Sequence, residues 1–196
     1  KLDGQTEADL PEALSHWLAQ RPDAEVVMQV GMFRREKGHH IVLEAIAQLL
    51  ATRPNVVYVM AGGGKSDVLI AHIERLGLQD KVWMGELRAI APALRQADVM
   101  VMPSLLEPLG MVQIEALGLA VPVIVSNVGG IPETVTHQQT GLIVDDMSPE
   151  AWAHAIHYAL SHPDTMRAWA RAGQTQVRQQ FSPEHTTKRL LQLLNA

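Results

Sequence analysis

Val99-Met100-Val101-Met102-Pro103-Ser104-Leu105-Leu106-Glu107-Pro108-Leu109-Gly110-Met111-Val112-Gln113-Ile114-Glu115 is the stretch on which the fold turns. Its opening, Val99–Pro103, is an unbroken apolar run of strand length. Its close leads into a helical pattern over Leu109–Leu119, ahead of a second apolar run at Pro122–Ser126. A strand, a short loop and a helix in that order point the free N–H groups of a helix N-terminus at an anion. Glu107 and Glu115 place carboxylates eight residues apart across the helix start. If helical throughout, that spacing is ~12 Å, so the two acids could hold hydroxyls while the backbone between them holds phosphate. Two solvated helix carboxylates are the plain alternative.

The same alternation continues outward. Apolar runs at Val26–Met32, Asn55–Ala61, Lys81–Met84 and Leu142–Asp145 read as further strands, making about six. Helical patterns lie between them at His39–Ala51, Lys65–Leu76 and Ile90–Gln96, with a short one near Pro132–Val135. The strands are rich in Val and Met and barely alternate, as strands covered on both faces should be. The fold class is therefore α/β, a Rossmann-like, doubly wound parallel sheet. Past Ser148 three helices are expected, over Pro149–Leu160, Pro163–Gln180 and Pro183–Asn195, each opened by Pro after Ser or His. Residues 1–24 read as a lead-in with a helix from Leu10 to Ala19, and residues 25–196 as the domain. In such a sheet, ligands sit at the carboxyl ends of the strands. The loops after Met32, Ala61, Met84, Pro103 and Ser126 are where chemistry is sought.

Composition narrows the function classes. The 196 residues contain no Cys, so disulfides, thiolate ligands and Cys nucleophiles are excluded. A net charge of -5 without any basic run argues against nucleic-acid binding. No segment approaches the ~20 apolar residues of a membrane span. The chain does not begin with Met, consistent with a piece of something longer.

Individual motifs carry different weight. Gly31-Met32-Phe33-Arg34-Arg35-Glu36-Lys37-Gly38 runs from a strand into a basic turn. It is either a solvated turn or a phosphate clamp, with Lys a point charge and Arg a fork. Gly62-Gly63-Gly64-Lys65-Ser66 looks like the end of a P-loop, but the Gly such a loop needs five positions earlier is Val59. His154, His157 and His162 lack an acid or Cys to complete a metal set. His39 and His40 read as solvated, and Trp152 and Trp169 as core.

Taken together, the motifs resemble the retaining glycosyltransferases of the two-domain GT-B architecture, family 4, and the resemblance runs from Val26 to Ala196. Glu107 and Glu115 match that family's Glu-x7-Glu signature. Gly31, Lys37 and Gly38 match its Gly-Arg-x-x-x-x-Lys-Gly motif, although Met32 occupies the Arg position and Arg34 is the candidate replacement. Glu115-Ala116 through Pro122-Val123 matches its next segment, with Ala120 in place of a usual Gly, a change expected to touch packing only. Gly129, Gly130 and Glu133 match the following loop, where the glycines suit a backbone passing close to a ligand.

The resemblance implies the C-terminal, donor-binding half of such an enzyme. Glu107, Lys37 and Arg34 would be its catalytic residues. Gly31, Gly62, Glu86, Leu87, Leu109, Gly110, Met111, Val112 and Glu115 would bind the donor, a UDP- or GDP-linked sugar. Neither cofactor nor metal is expected. Partners would be an acceptor glycan or glycolipid and an N-terminal domain of the parent chain, but no nucleic acid. The parent would work in the cytoplasm, free or peripherally on the inner face of the membrane. A nucleotide-sugar epimerase on the same fold, or a binding module without catalysis, are the alternatives.

Overall fold

The computed structural model describes residues 10–181. The helix expected over Pro183–Asn195 lies outside that range. Strands β1 (Glu25–Val30), β2 (Val56–Ala61), β3 (Val82–Gly85), β4 (Val99–Met102), β5 (Val123–Ser126) and β6 (Leu142–Val144) form one sheet in the order β3-β2-β1-β4-β5-β6. Every pairing is parallel. Helices α1 (Glu12–Ala19), α2 (His39–Leu49), α3 (Asp67–Leu76), α4 (Ala91–Leu94), α5 (Met111–Gly118), α6 (Pro149–Ser161) and α7 (Pro163–Gln180) accompany it. This is the doubly wound, Rossmann-like architecture that the alternation of runs requires.

Successive side chains of a strand point to opposite faces, and β1 shows it. Val27 joins Tyr58, Ile46, Ile73 and Trp152 in a core beneath α2, α3 and α6. Val26 and Met28 join Leu14, Leu94, Leu117 and Val177 in a second core beneath α1, α4, α5 and α7. Leu14 is fully buried there, so α1 packs against the sheet. Full burial of each such side chain is worth about 1.5–3 kcal/mol relative to exposure. The capping residue read from Ser148-Pro149 forms as expected, Ser148 Oγ accepting from the Ala151 N–H.

Several boundaries differ from the sequence reading, and three of the differences bear on the site. β1 stops at Val30, before Gly31 and Met32, because the chain folds back so that the Arg34 N–H meets the Met32 carbonyl at 2.8 Å. α5 starts at Met111 and not at Leu109, because Gly110 adopts φ +77°. The segment near Pro132–Val135 is only a 3-10 turn at Ile131–Glu133.

Ala120 carries a larger consequence. After α5, the Val121 N–H bonds to the Ala116 carbonyl and the Ala120 N–H to the Leu117 carbonyl, each at 2.9 Å. That is the Schellman closure, which puts the residue after the C-cap in the left-handed region. Ala120 sits there with φ +56°. Replacing the usual Gly therefore strains the backbone, beyond the effect on packing expected from sequence.

The chain order reverses between β1 and β4, which are neighbours in the sheet. From that point β1–β3 run toward one edge and β4–β6 toward the other. The loops after β1 and β4 leave the sheet side by side there, at the carboxyl ends of the strands, where open α/β sheets bind ligands in a crevice.

Candidate functional site

Glycines bring the loops at this crevice into contact. Gly38 lies in the left-handed region, φ +69°, and a Cβ on it would fall 1.9 Å from the Pro103 carbonyl oxygen. The Leu105 N–H donates to the Glu36 carbonyl at 2.7 Å. The loop after β1 is thus sewn to the loop after β4. A Cβ on Gly62 would fall 1.9 Å from the Gly31 carbonyl oxygen, which fixes the loop after β2 to the first loop. One on Gly63 would lie 2.7 Å from Glu86 Oε1, so the loop after β3 joins as well.

Lys37 and Glu107 meet across the crevice. Lys37 Nζ donates to Glu107 Oε2 at 2.6 Å, with the two side chains 25% and 12% exposed. Both heads are reachable from solvent yet shielded enough to interact strongly. The Lys37 stem runs beside Gly31, whose position a Cβ would bring to 3.8 Å from Lys37 Cγ and Cδ.

The N-terminus of α5, at Met111, follows Glu107 by four residues. Its cap, Gly110, offers no side-chain acceptor to the first-turn N–H groups. Those N–H groups carry the positive end of the helix dipole. Gly110 is packed against Gln113, whose Oε1 a Cβ would approach to 2.2 Å. Gln113 is fully buried; its Nε2 donates to the Leu109 carbonyl at 2.6 Å and to Thr134 Oγ1 at 3.1 Å. This buried amide fixes the helix start to the loop after β5.

The glycines of that last loop serve the protein itself. A Cβ on Gly129, φ +53°, would lie 1.8 Å from the Glu107 carbonyl oxygen, and one on Gly130 2.4 Å from that of Pro108. The Gly130 N–H donates to the Pro108 carbonyl at 2.9 Å. These glycines make room for the segment that carries Glu107.

Some buried side-chain polar atoms lack partners. Among the described residues they are His39 Nδ1, Ser104 Oγ, Gln113 Oε1 and Trp152 Nε1. The first three belong to the loops and helix starts around the crevice. His39, read as solvated, is 1% exposed and stacks edge-on to Phe33. Its Nε2–H donates to the Met32 carbonyl at 3.2 Å. Burial pushes its pKa down from 6.5 to about 4, so the ring is neutral at ordinary pH. Burial also raises the Glu115 carboxyl above its ordinary value.

The sequence candidates divide on this geometry. Lys37, Glu107, Gly31 and Gly62 gather at the crevice, with Leu109, Gly110, Met111 and Val112 at the helix start. Met111 is 59% exposed, unusual for a large apolar side chain. Glu115 lies on α5, half-buried, one turn further along. Glu107 precedes the helix, so the helical-rise estimate of the Glu107–Glu115 span covers only its second half. Glu86 is exposed and Leu87 packs partly against the second core. Arg34 stands apart: its side chain is 62% exposed and lies 3.8 Å from Glu36. Strand alternation cannot carry it back to the Met32 side, because β1 has already ended. Among the described residues no three His, Asp or Glu side chains converge as a metal site would need. Sequence reasoning passed over Ser104 and Gln113 and read His39 as solvated. Gln113 had a signal, a polar residue on the apolar side of a helix; His39 was hidden by its neighbour His40.

Comparison with known proteins places this geometry in context. The sequence profile described as "Glycosyl transferases group 1" matches residues 15–176. D-inositol 3-phosphate glycosyltransferase of Segniliparus rotundus is 36% identical over 178 residues, which are 87% of this chain and 39% of that protein. Alpha-maltose-1-phosphate synthase of Mycolicibacterium smegmatis is 32% identical over 184 residues, 86% of this chain and 47% of that one. The chain thus spans less than half the length of these relatives. Among solved structures, Anabaena HepE in complex with UDP-glucose superposes with a TM-score of 0.83 at 26% identity, over 95% of this chain and 53% of that one.

Proposed function

The chain belongs to the group 1 glycosyl transferases, and we propose that it is the donor-binding half of a retaining enzyme that moves a hexosyl group from a nucleoside diphosphate to an acceptor hydroxyl. The observation that carries this reading is the Lys37–Glu107 pair, 2.6 Å apart at the switch point of the sheet, with Glu107 on the loop that leads into the N-terminus of α5. A cation next to exposed helix N–H groups suits a diphosphate. A carboxylate next to that cation suits the hydroxyls of the attached sugar. Glu115, one turn into α5, suits a ribose diol.

In the reaction, charge builds on the leaving diphosphate. Lys37 and the α5 dipole oppose that charge where it develops, which lowers the barrier to departure of the sugar. Lys37 is already held in place, so it does not have to reorganise during the step. Glu107 orients both the sugar and the lysine. The donor is a UDP- or GDP-linked sugar; the UDP-glucose in the Anabaena relative favours uridine. The acceptor, a glycan, a glycolipid or a phosphorylated polyol, meets the donor on a further domain of the parent chain. No cofactor enters this scheme, and the 196-residue chain alone should not transfer sugar.

Calorimetric titration with UDP, GDP, UDP-glucose and GDP-mannose, with and without EDTA, tests the reading. Saturable, EDTA-insensitive binding to one nucleotide class is expected. Lys37→Ala and Glu115→Ala should each weaken it at least tenfold, the scale of one lost charged hydrogen bond (~1.5–3 kcal/mol). Arg34→Ala should leave it within twofold. Binding that survives Lys37→Ala unchanged would refute the site.

A further inference from the structure

Within the apolar run Val26–Val30 of β1, one side chain is polar. Gln29 is 2% exposed and flanked by Met28 and Val30. Burying a primary amide is costly unless its hydrogen bonds are made. Here they are made to two specific groups. Nε2 donates to the Lys37 carbonyl at 2.7 Å. Oε1 accepts from the hydroxyl of Tyr58 on β2. The register explains the second contact: Tyr58 pairs with Val27, so Tyr58 and Gln29 lie on the same face.

The chemistry fixes the amide orientation. A carbonyl can only accept, so the NH2 group must face Lys37 and the oxygen must face Tyr58. Tyr58 is fully buried, and burial raises its pKa well above 10, so the phenol keeps the proton it donates. The Lys37 carbonyl lies one residue ahead of Gly38, whose carbonyl accepts the Ile41 N–H at the start of α2. It is outside the helical ladder and is held from below by this amide.

We propose that Gln29 and Tyr58 are positioning residues, which hold the Lys37 backbone from the core so that its ammonium group meets Glu107 and a donor diphosphate. This rests on the donor-site reading. Lys37 is held by the amide on its carbonyl, by the Arg34 carbonyl on its N–H at 3.0 Å and by Glu107 on its head, with Gly31 beside its stem. Only the amide reaches it from the core, and a bland apolar residue at position 29 would fill the space without making either bond.

The experiment compares Gln29→Met, Tyr58→Phe and Lys37→Ala in this chain, titrated with UDP and UMP and, in parallel, GDP and GMP. Monophosphates lack the terminal phosphate that the lysine is positioned to meet. Gln29→Met is expected to weaken the diphosphate about tenfold and the monophosphate less than twofold. Tyr58→Phe should give the same pattern at smaller amplitude. Adding Gln29→Met to Lys37→Ala should cost nothing more. Equal weakening of both nucleotides, or full additivity with Lys37→Ala, would overturn the proposal. A second measurement needs no nucleotide. Urea unfolding of Lys37→Met, Glu107→Gln and the double variant gives the coupling between the pair. That coupling should fall by at least half in the Gln29→Met background, or in Tyr58→Phe if the former does not fold. Unchanged coupling would overturn the positioning role. Absent nucleotide binding by the unaltered chain, with the coupling still dependent on Gln29, would instead refute the donor reading and keep the clamp.

Discussion

Gly38 joins two physical costs, one of which Gly77 carries alone, so its replacement by Ala can be worked out in advance. Its φ of +69° is one, and the 1.9 Å approach of a Cβ to the Pro103 carbonyl oxygen is the other. Gly77 has nearly the same φ, +68°, with nothing within 4 Å of a Cβ. Gly118 has open space and lies within α5 at no positive φ. Gly77→Ala therefore reads the left-handed cost alone, about 1–2 kcal/mol. Gly118→Ala should be neutral or stabilise by about 0.5–1 kcal/mol, because Ala loses less entropy in a helix. Gly38→Ala should carry the left-handed cost plus about 1–3 kcal/mol for prying the two loops apart, so about 2–5 kcal/mol in all. At about 2–4 °C per kcal/mol for a domain of this size, its Tm should fall by about 4–20 °C. Urea unfolding gives the free energies, and calorimetric scans give Tm. Equal losses for Gly38→Ala and Gly77→Ala would mean that the loops after β1 and β4 do not touch in solution, and the construction of the crevice would fail with them.

His39 should make the fold acid-sensitive. Its folded pKa, about 4, lies below the 6.5 of a free imidazole, so the unfolded chain takes up the proton first. The stability it contributes is intact above pH 6.5 and is lost as pH falls toward 4, by roughly 3 kcal/mol; His39→Gln should flatten urea-unfolding profiles over that window, and an unaltered slope would contradict the burial. Glu115 runs the other way. Its raised pKa means that its contribution falls as pH rises through the ordinary carboxylate range, near pH 4.5, so Glu115→Gln should stabilise the ligand-free chain at neutral pH and match it in acid. Ala120→Gly should raise stability by about 1 kcal/mol by relieving the left-handed strain; a loss in urea unfolding would show that the Schellman turn is not formed.

The fold was legible because its signals were redundant. Runs such as Val99–Met102 and Val123–Ser126 are too apolar to be surface strands, and their alternation with helical patterns admits few arrangements. The crevice was legible too, since strand ends followed by Glu107, or by Lys37-Gly38, fall at the same edge of any such sheet. What stayed hidden depended on contacts between distant segments. Nothing in Gly129-Gly130 says that its close neighbour is the Glu107 backbone and not a ligand. Nothing in His39-His40 says that one ring is buried and the other only partly so. Arg34 lies four residues past the end of β1, and strand ends are set by which carbonyl the turning chain meets. Ala120 was underestimated because a residue's φ is invisible until the helix end is seen.

The seam between β1 and β4 is the thinnest ladder in the middle of the sheet: two residue pairs join them, against six between β1 and β2. Lys37 and Glu107, seventy residues apart in sequence, face each other across that seam. A ligand held by both would act as a rivet between the two halves of the chain. At a hundred times its dissociation constant it would add about 2.7 kcal/mol to their cohesion. An occupied site would thus protect the central strands from proteases and from amide exchange more than it protects the edges. The chain would be sturdiest while it holds substrate and most easily opened just after the product leaves.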